Sequence, residues 1–308
     1  MSLPFLQPYF GLSNSLQTAQ GGTGSSVRGT RGVWCGGSVN NTMDYVTIAT
    51  PGNATDFGDL LSTYAQTSGC NSDVRGLILA GSRTGANSNS IEYITIATTG
   101  NSTDFGDRTI TARGTAGVGS LTRGVCGSGY SSTAENVIDY VTIATTGNAT
   151  DFGDLTLARY VMGGVNSDAG RGVFCGGGDG LGRADNNMDY ITIATTGNAT
   201  DFGDLTVARY SLSGLNSDVR GVCGSGSSVG NTMDYITIAT TGNATDFGDL
   251  NDTGQGGTGL NSLTRGIFAG TNETNTMDYI TIATTGNATD FGDLTVARNM
   301  SAGIQNGL

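Results

Sequence analysis

The chain has 308 residues, of which 52 are glycine and only 3 are proline, and its formal net charge is −12. All 14 basic residues are arginine and none is lysine or histidine, which excludes imidazole bases, histidine metal ligands, Schiff-base lysines and phosphate-cradling lysines. The acidic balance argues against nucleic acid and anionic membranes as partners, since both attract a basic face, and no apolar run is long enough to insert into a bilayer.

The N-terminal stretch, residues 1–15, carries two of the three prolines, three aromatic residues and no charge. Proline disfavours a helix, so we predict an extended apolar arm. The arm either packs against the rest of the chain or docks into a partner, and we favour docking because an apolar segment on an acidic protein is typical of an interaction element. The candidate docking residues are Pro4, Phe5, Leu6, Pro8, Tyr9 and Phe10.

From residue 16 to the end, the chain contains six similar copies of one sequence repeat, and each copy begins with an Arg-Gly dipeptide. The opening arginines are Arg31, Arg75, Arg123, Arg171, Arg220 and Arg265. Their spacing of 44 to 49 residues, with strand-like content, is typical of propeller blades. We therefore predict an all-β chain in which residues 1–15 form the arm and residues 16–308 form a six-bladed β-propeller with about four antiparallel strands per blade.

One copy shows how four strands arise. Residues 158–167 and 171–177 predict the first two strands, and 188–195 predicts the third. Within it Tyr190 to Thr195 alternate without charge on either face, as expected of a sheet covered on both sides. A Thr-Gly-Asn turn at 196–198 then leads to an outer strand over 199–205.

Both termini offer a strand for closing the ring. Residues 20–24 match 255–259, whereas the sequence from Ala297 onward matches that from Ala208 onward. We predict that one terminal segment pairs within a blade formed with the other end, which removes an open sheet edge.

The copies resemble the kelch repeat in their glycine doublet, tyrosine strand, turn, aromatic residue and following arginine, here Gly176-Gly177, Tyr190, Gly197, Phe202 and Arg209. The resemblance spans about 290 residues and implies a scaffold in which the repeated aromatic residues have structural roles. The tyrosines are Tyr45, Tyr93, Tyr140, Tyr190, Tyr235 and Tyr279. The phenylalanines are Phe57, Phe105, Phe152, Phe202, Phe247 and Phe291.

The repeat segment TIATTGNATDFGDLTVAR is also similar to repeats of virion proteins of marine tailed phages. This resemblance implies a non-enzymatic virion structural protein: a decoration, fibre or appendage. The implied partners are other virion proteins bound through the arm, a host surface glycan or receptor, and further copies of the chain. The alternatives are a lectin-like carbohydrate-binding propeller and an intracellular protein-interaction scaffold.

The repeated acidic segments are candidates for metal binding and for turn capping. Asp-Phe-Gly-Asp offers oxygen ligands to Ca²⁺, but turn capping by short acids is the interpretation we favour, and we expect no metal or cofactor. From stoichiometry we predict that each Arg-Gly arginine pairs with a repeated acid, the one preceding tyrosine. The Asn-x-Thr and Asn-x-Ser segments are read as turns rather than glycan acceptors, because no secretory signal precedes them.

The five cysteines and the variable loops have distinct expected locations, in the core and on the surface. Cys35, Cys70, Cys126, Cys175 and Cys223 are expected to be buried thiols, with those at equivalent positions on different blades and too far apart to pair. The loops between second and third strands differ most between copies, and variable loops on a constant scaffold are where recognition is expected. They span residues 36–42, 82–90, 127–137, 176–187, 224–232 and 270–276.

Overall fold

A computed structural model describes residues 29–38, 40–83, 85–227 and 230–307 of the chain. In these residues 24 β-strands form six four-stranded antiparallel sheets, with one short 3₁₀ helix, Thr271–Glu273. The sheets are the blades of a β-propeller, which confirms the predicted architecture. The predicted arm, residues 1–15, lies outside the described residues.

The strands follow the same order in every blade, from the central channel outward, and the first blade alone takes its inner strand from the C-terminus. Blades 1 to 3 consist of β1 (Arg31–Cys35), β2 (Asn40–Thr47) and β3 (Thr55–Tyr64); β4 (Ser68–Asn71), β5 (Arg75–Arg83), β6 (Ala86–Thr95) and β7 (Thr103–Ala112); and β8 (Ala116–Gly119), β9 (Arg123–Gly127), β10 (Val137–Thr142) and β11 (Thr150–Asp154). Blades 4 to 6 consist of β12 (Gly163–Asn166), β13 (Arg171–Cys175), β14 (Asn187–Thr192) and β15 (Thr200–Asp204); β16 (Ser213–Asn216), β17 (Arg220–Gly224), β18 (Thr232–Thr237) and β19 (Thr245–Asp249); and β20 (Thr258–Asn261), β21 (Arg265–Ala269), β22 (Thr276–Thr281) and β23 (Thr289–Asp293).

The C-terminal strand β24 (Ala302–Gln305) closes the ring by pairing antiparallel with β1, from Gly32 opposite Gln305 to Cys35 opposite Ala302. This confirms that one terminus completes a blade begun by the other. The competing match at residues 20–24 lies outside the described residues. Closure satisfies the inner edge of blade 1, which would otherwise expose unpaired backbone groups.

The antiparallel order gives the disc two faces. Turns between first and second strands, and between third and fourth strands, lie on one face, here called the turn face. Loops between second and third strands, and the connections from blade to blade, lie on the other, here called the loop face. The variable loops of the sequence therefore share one face, because strand direction alternates within every blade.

The core lies between neighbouring blades. Between blades 4 and 5, Phe202 and Leu205 pack with Ile236 and Ile238 from the next sheet. The Phe202 ring meets the Tyr190 ring edge to face at a centroid distance of 6.1 Å, and every blade repeats this pair. Such pairs contribute about 0.5–1.5 kcal/mol beyond their buried area. Adjacent blades bury the strand face that carries Ile191 and Ile193. On the opposite face Tyr190 is half-buried and Thr192 and Ala194 are exposed, so the prediction that both faces are covered is wrong for that face.

The inner strands approach each other at six glycines, one in each blade. A methyl group on any of them would lie under 3.0 Å from the carbonyl oxygen of the equivalent glycine in the neighbouring blade. The glycines are Gly69, Gly117, Gly164, Gly214, Gly259 and Gly303. They form a closed ring around the channel, here called the glycine ring, and no larger residue fits this spacing of the blades.

Candidate functional site

The six Arg-Gly arginines do not pair with the repeated acids, so that prediction is wrong. Each guanidinium instead lies over the tyrosine ring of its own blade, 4.2 to 4.6 Å from the ring centre. Its Nη1 also donates to a carbonyl oxygen in the next blade, as Arg171 does to Ile238 at 3.1 Å and to Ala239 at 2.8 Å. Each arginine lies diagonally across from the tyrosine in the strand register, with Arg171 opposite Thr192 and Val173 opposite Tyr190. The guanidinium thus makes a cation–π contact within its own blade and joins that blade to the next.

The acid preceding tyrosine is buried and is held by a different arginine. Asp234, fully enclosed, accepts hydrogen bonds from Arg209 Nη1 at 2.8 Å and from the backbone N–H and hydroxyl of Thr206. Arg209 and Thr206 belong to the connection entering blade 5, so the carboxylate fixes that connection to the sheet. The equivalent pairs are Arg298–Asp44 and Arg159–Asp189, whereas in blade 3 Asp139 pairs with Arg108, which lies in β7 at the repeat position of Leu205.

Within the described ranges, two further blades have no such arginine at all. In blade 2 Tyr64 stands in place of the arginine, and its hydroxyl donates to Glu92 at 2.8 Å. In blade 6 Asp278 accepts from the backbone N–H and the side-chain amide of Asn251, at 3.0 and 2.6 Å, and has no arginine partner among the described residues. A buried carboxylate is therefore retained in all six blades while its donor varies.

The Asp-Phe-Gly-Asp segment joins blade to blade. Phe202 is the extra residue of a β-bulge between β14 and β15, and Gly203, at a φ of 136°, lies against the turn of the next blade. A methyl group there would be 2.5 Å from the Gly242 carbonyl oxygen, which explains the glycine of the motif. No group of three or more acids or cysteines suited to a metal occurs in the described part of the chain.

The asparagines of the Asn-x-Thr and Asn-x-Ser segments are turn residues with a structural bond. Asn198 Oδ1 accepts the backbone N–H of Asp154 in the preceding blade at 3.1 Å. The same bond recurs at Asn53, Asn101, Asn148, Asn243 and Asn287. These side chains are used in holding neighbouring blades together.

All five cysteines are buried and free, as predicted. Burial raises the pKa of the Cys126 thiol to about 12, and it raises the pKa values of Cys35 and Cys70 as well. The expectation that equivalent cysteines lie out of reach is wrong for one pair. Cys175 and Cys223 share the core between blades 4 and 5, and a hydrogen bond between their thiols, with burial, raises the pKa of Cys223. Protonated, enclosed thiols are poor nucleophiles.

Residues that break the sixfold pattern gather on the loop face. Among the described residues, the arginines outside the two repeated roles are Arg83, Arg113 and Arg183, and the tyrosines outside the repeated strand position are Tyr64, Tyr130, Tyr160 and Tyr210. They belong to the loops and connections between the end of blade 1 and the start of blade 5. The loop face of this sector is therefore chemically distinct from the rest of the ring.

Three of these side chains, Arg113, Tyr130 and Tyr160, form a compact unit with Asn87, and the four residues are here called the loop-face cluster. The Tyr130 and Tyr160 rings have centroids 5.0 Å apart at 46°, and the Arg113 guanidinium lies 4.9 Å from the Tyr130 centroid. Arg113 Nη1 donates to Asn87 Oδ1 at 3.1 Å, and Asn87 Nδ2 donates to the Tyr130 and Ser131 carbonyls at 2.8 Å. All four side chains are half-buried.

Backbone bridges fix the cluster. Arg113 and Tyr130 exchange two backbone hydrogen bonds, of 3.2 and 2.7 Å, and Tyr160 and Gly178 exchange two of 3.0 Å. Three separate blades therefore contribute groups whose positions are set before any ligand arrives. The variable loops supply Asn87, Tyr130 and Gly178, whereas Arg113 and Tyr160 come from blade-to-blade connections. The sequence-based predictions did not include those connections, although Arg113 and Tyr160 stand outside the repeated arginine and tyrosine positions.

The cluster adjoins the loop-face mouth of the central channel. Six equivalent residues there have positive φ, and each carbonyl accepts a backbone N–H from the adjoining connection, which completes a hydrogen-bonded ring. They are Gln66, Gly114, Val161, Ser211, Gly256 and Met300. The channel has a cavity volume of about 120 Å³ and is lined by small residues and amides. Val161 is β-branched, so its positive φ is a strained conformation. The closed ring of hydrogen bonds holds the residue in that conformation.

Comparison with known proteins gives no match, either to a protein-family model or to a curated sequence. The described residues include no helix long and apolar enough to cross a membrane. The predicted docking residues Pro4 to Phe10 lie outside the described residues, so the arm stays a prediction.

Proposed function

We propose that this chain is a non-enzymatic binding protein on the surface of a tailed-phage particle. In this proposal the N-terminal arm holds it to other virion proteins, and the propeller presents its loop face to the host surface. The supporting observation is that repeated and unrepeated side chains lie in different places and make different contacts. The repeated arginines, acids, tyrosines and phenylalanines are used in contacts within and between blades, while the unrepeated ones collect on one face.

The charge and chemistry of the site fit binding better than catalysis. The loop-face cluster contains a guanidinium, an amide and two tyrosines, with neither a thiol nor an imidazole. The cysteine thiols lie in the core, away from this surface, and burial suppresses their ionisation. A rigid aromatic surface with a few polar groups is typical of recognition sites.

Mass spectrometry of purified particles of the encoding phage tests the proposed location. We expect peptides of this chain in fixed stoichiometry to the capsid protein. Deletion of residues 1–13 is expected to leave the circular dichroism and melting of the propeller unchanged and to abolish incorporation. Absence of the chain from particles would refute the virion role, and loss of folding on deletion would show that the arm packs against its own propeller.

A further inference from the structure

We propose that the loop-face cluster binds a carboxylate-bearing saccharide, such as a uronic acid unit of a surface polysaccharide. This inference rests on the proposed function and names the ligand class of its binding face. It depends on three features: an aromatic surface of the right size, a guanidinium edge without a partner, and a fixed geometry.

The aromatic surface is the Tyr130–Tyr160 pair. The two rings are tilted by 46° at 5.0 Å, and both are half-exposed. One face of a pyranose ring presents C–H groups made slightly positive by neighbouring oxygens, and such groups pack against the negative face of an aromatic ring. The two hydroxyls make no hydrogen bond to any described residue, so they are available to sugar hydroxyls at the rim.

The guanidinium edge belongs to Arg113. Its Nη1 is occupied by Asn87 Oδ1 and its plane lies near the Tyr130 ring, whereas Nε and Nη2 bond to no described residue. No carboxylate of a described residue pairs with Arg113. Nε and Nη2 form the side-on fork that binds a carboxylate through two parallel hydrogen bonds. A guanidinium held in place with this edge open fits an acidic group on the ligand.

The loop of blade 4 forms one wall of the site. The backbone of Gly180 lies against the Tyr130 ring, so that a methyl group there would be 2.6 Å from Cε2. Asp179 accepts the backbone N–H groups of Leu181 and Arg183, and the bond from Leu181 is the main cause that lowers the pKa of Asp179. The loop is therefore held in shape by its own carboxylate, and it places the exposed side chain of Arg183 at the edge of the site.

Nonspecific attraction of polyanions does not account for this arrangement. The chain has a net charge of −12, and Asp179 and Glu135 lie in the loops that border the cluster. Long-range electrostatics therefore oppose an anionic ligand, and binding depends on short-range bidentate contact with Arg113.

The test is isothermal titration of the full chain with oligogalacturonate and oligomannuronate, and with the methyl esters of the same oligosaccharides. The ester removes the charge and leaves the sugar ring, so it isolates the contribution of the carboxylate. We expect binding of at least one acid form and a loss of about tenfold or more in affinity for its ester, since a carboxylate–arginine pair is worth more than 1.4 kcal/mol.

The variants separate stacking from charge. Tyr160→Ala and Arg113→Gln are each expected to weaken binding about tenfold, while Tyr160→Phe retains affinity within about threefold because the ring remains. Val296→Ala, on the loop face between blades 6 and 1, is the control and leaves affinity unchanged. Arg183→Gln controls for general positive charge and is expected to have a smaller effect than Arg113→Gln.

Three outcomes would overturn the inference: failure of both acid forms to bind, equal affinity for acid and ester, or equal loss from Arg183→Gln and Arg113→Gln with none from Tyr160→Ala. Binding of acidic peptides but of neither acid saccharide would count against it as well. Because the titration uses purified protein, its failure is separate from failure of the virion role, which particle composition decides.

Discussion

Replacing the buried carboxylate of blade 5 by an amide, Asp234→Asn, is the most informative perturbation of the scaffold. Asp234 and Arg209 are both fully enclosed and lie 25 residues apart along the chain. The substitution leaves a buried guanidinium without a counter-charge, and one further atom of that group, Nε, already has no hydrogen-bond partner. Breaking a buried pair in this way costs about 3–5 kcal/mol of unfolding free energy.

Blade 6 provides a matched control within the same molecule. Asp278→Asn makes the same chemical change at the equivalent position, where the donors are the amide groups of Asn251. That variant loses charge-assisted hydrogen bonds but leaves no charge unpaired, so we expect a cost of about 1–3 kcal/mol. The difference between the two substitutions is therefore expected to be about 2 kcal/mol.

Urea unfolding followed by circular dichroism and by Trp34 fluorescence measures both costs. Trp34 is the only tryptophan and is fully buried, with Nε1 donating to the Thr258 carbonyl of blade 6. It therefore reports on the junction that closes the ring. The double variant Asp234→Asn with Arg209→Leu removes both charges and is expected to recover part of the loss. Equal destabilisation by Asp234→Asn and Asp278→Asn would refute the reasoning, because it would mean that the arginine contributes nothing beyond the neutral donors.

Three further predictions concern the ring and its core. Gly214→Ala in the glycine ring is expected to cost about 1–3 kcal/mol or more in urea unfolding, because the methyl group meets the Gly164 carbonyl, and an unchanged midpoint would contradict this close approach. Deletion of residues 302–308 removes β24 and is expected to abolish cooperative unfolding and shift Trp34 emission to the red; retention of a sharp transition would show that closure is dispensable. The folded state keeps Cys126 protonated up to a pKa of about 12, above its ordinary value near 9, so its stabilising contribution is complete below about pH 9 and is lost as pH rises towards 12. We expect alkaline destabilisation over that window, and no maleimide labelling of the folded protein at pH 7; rapid labelling there would contradict enclosure of the thiols.

The sixfold scaffold and the asymmetric site use different residues of the same repeat. The contacts that join blades use residues present in nearly every copy, such as the arginine over tyrosine and the glycine of Asp-Phe-Gly. A substitution there affects an interface between blades. The loop-face cluster uses residues present once, so changes in it alter recognition and leave the blade interfaces intact. This separation allows one blade loop to vary while the ring is retained.

The sequence by itself determined the number of blades and the order of strands within each. These follow from short-range pattern: a period of two along each strand, turns rich in glycine and asparagine, and a regular spacing of copies. It narrowed ring closure to two terminal segments but did not choose between them, because each matches an internal segment that precedes or enters an inner strand. The choice of β24 depends on pairing between residues more than 260 positions apart in the chain.

Only the tertiary structure decided which arginine meets which acid. Stoichiometry favoured the Arg-Gly arginines, yet the partner of Asp234 is Arg209, from the connection that enters the blade. Pairing across a blade boundary depends on how neighbouring sheets are placed, which no local pattern encodes. The same is true of the loop-face cluster. Arg113, Tyr130 and Tyr160 stand outside the repeated positions in the sequence, but only the packing of three blades brings them together.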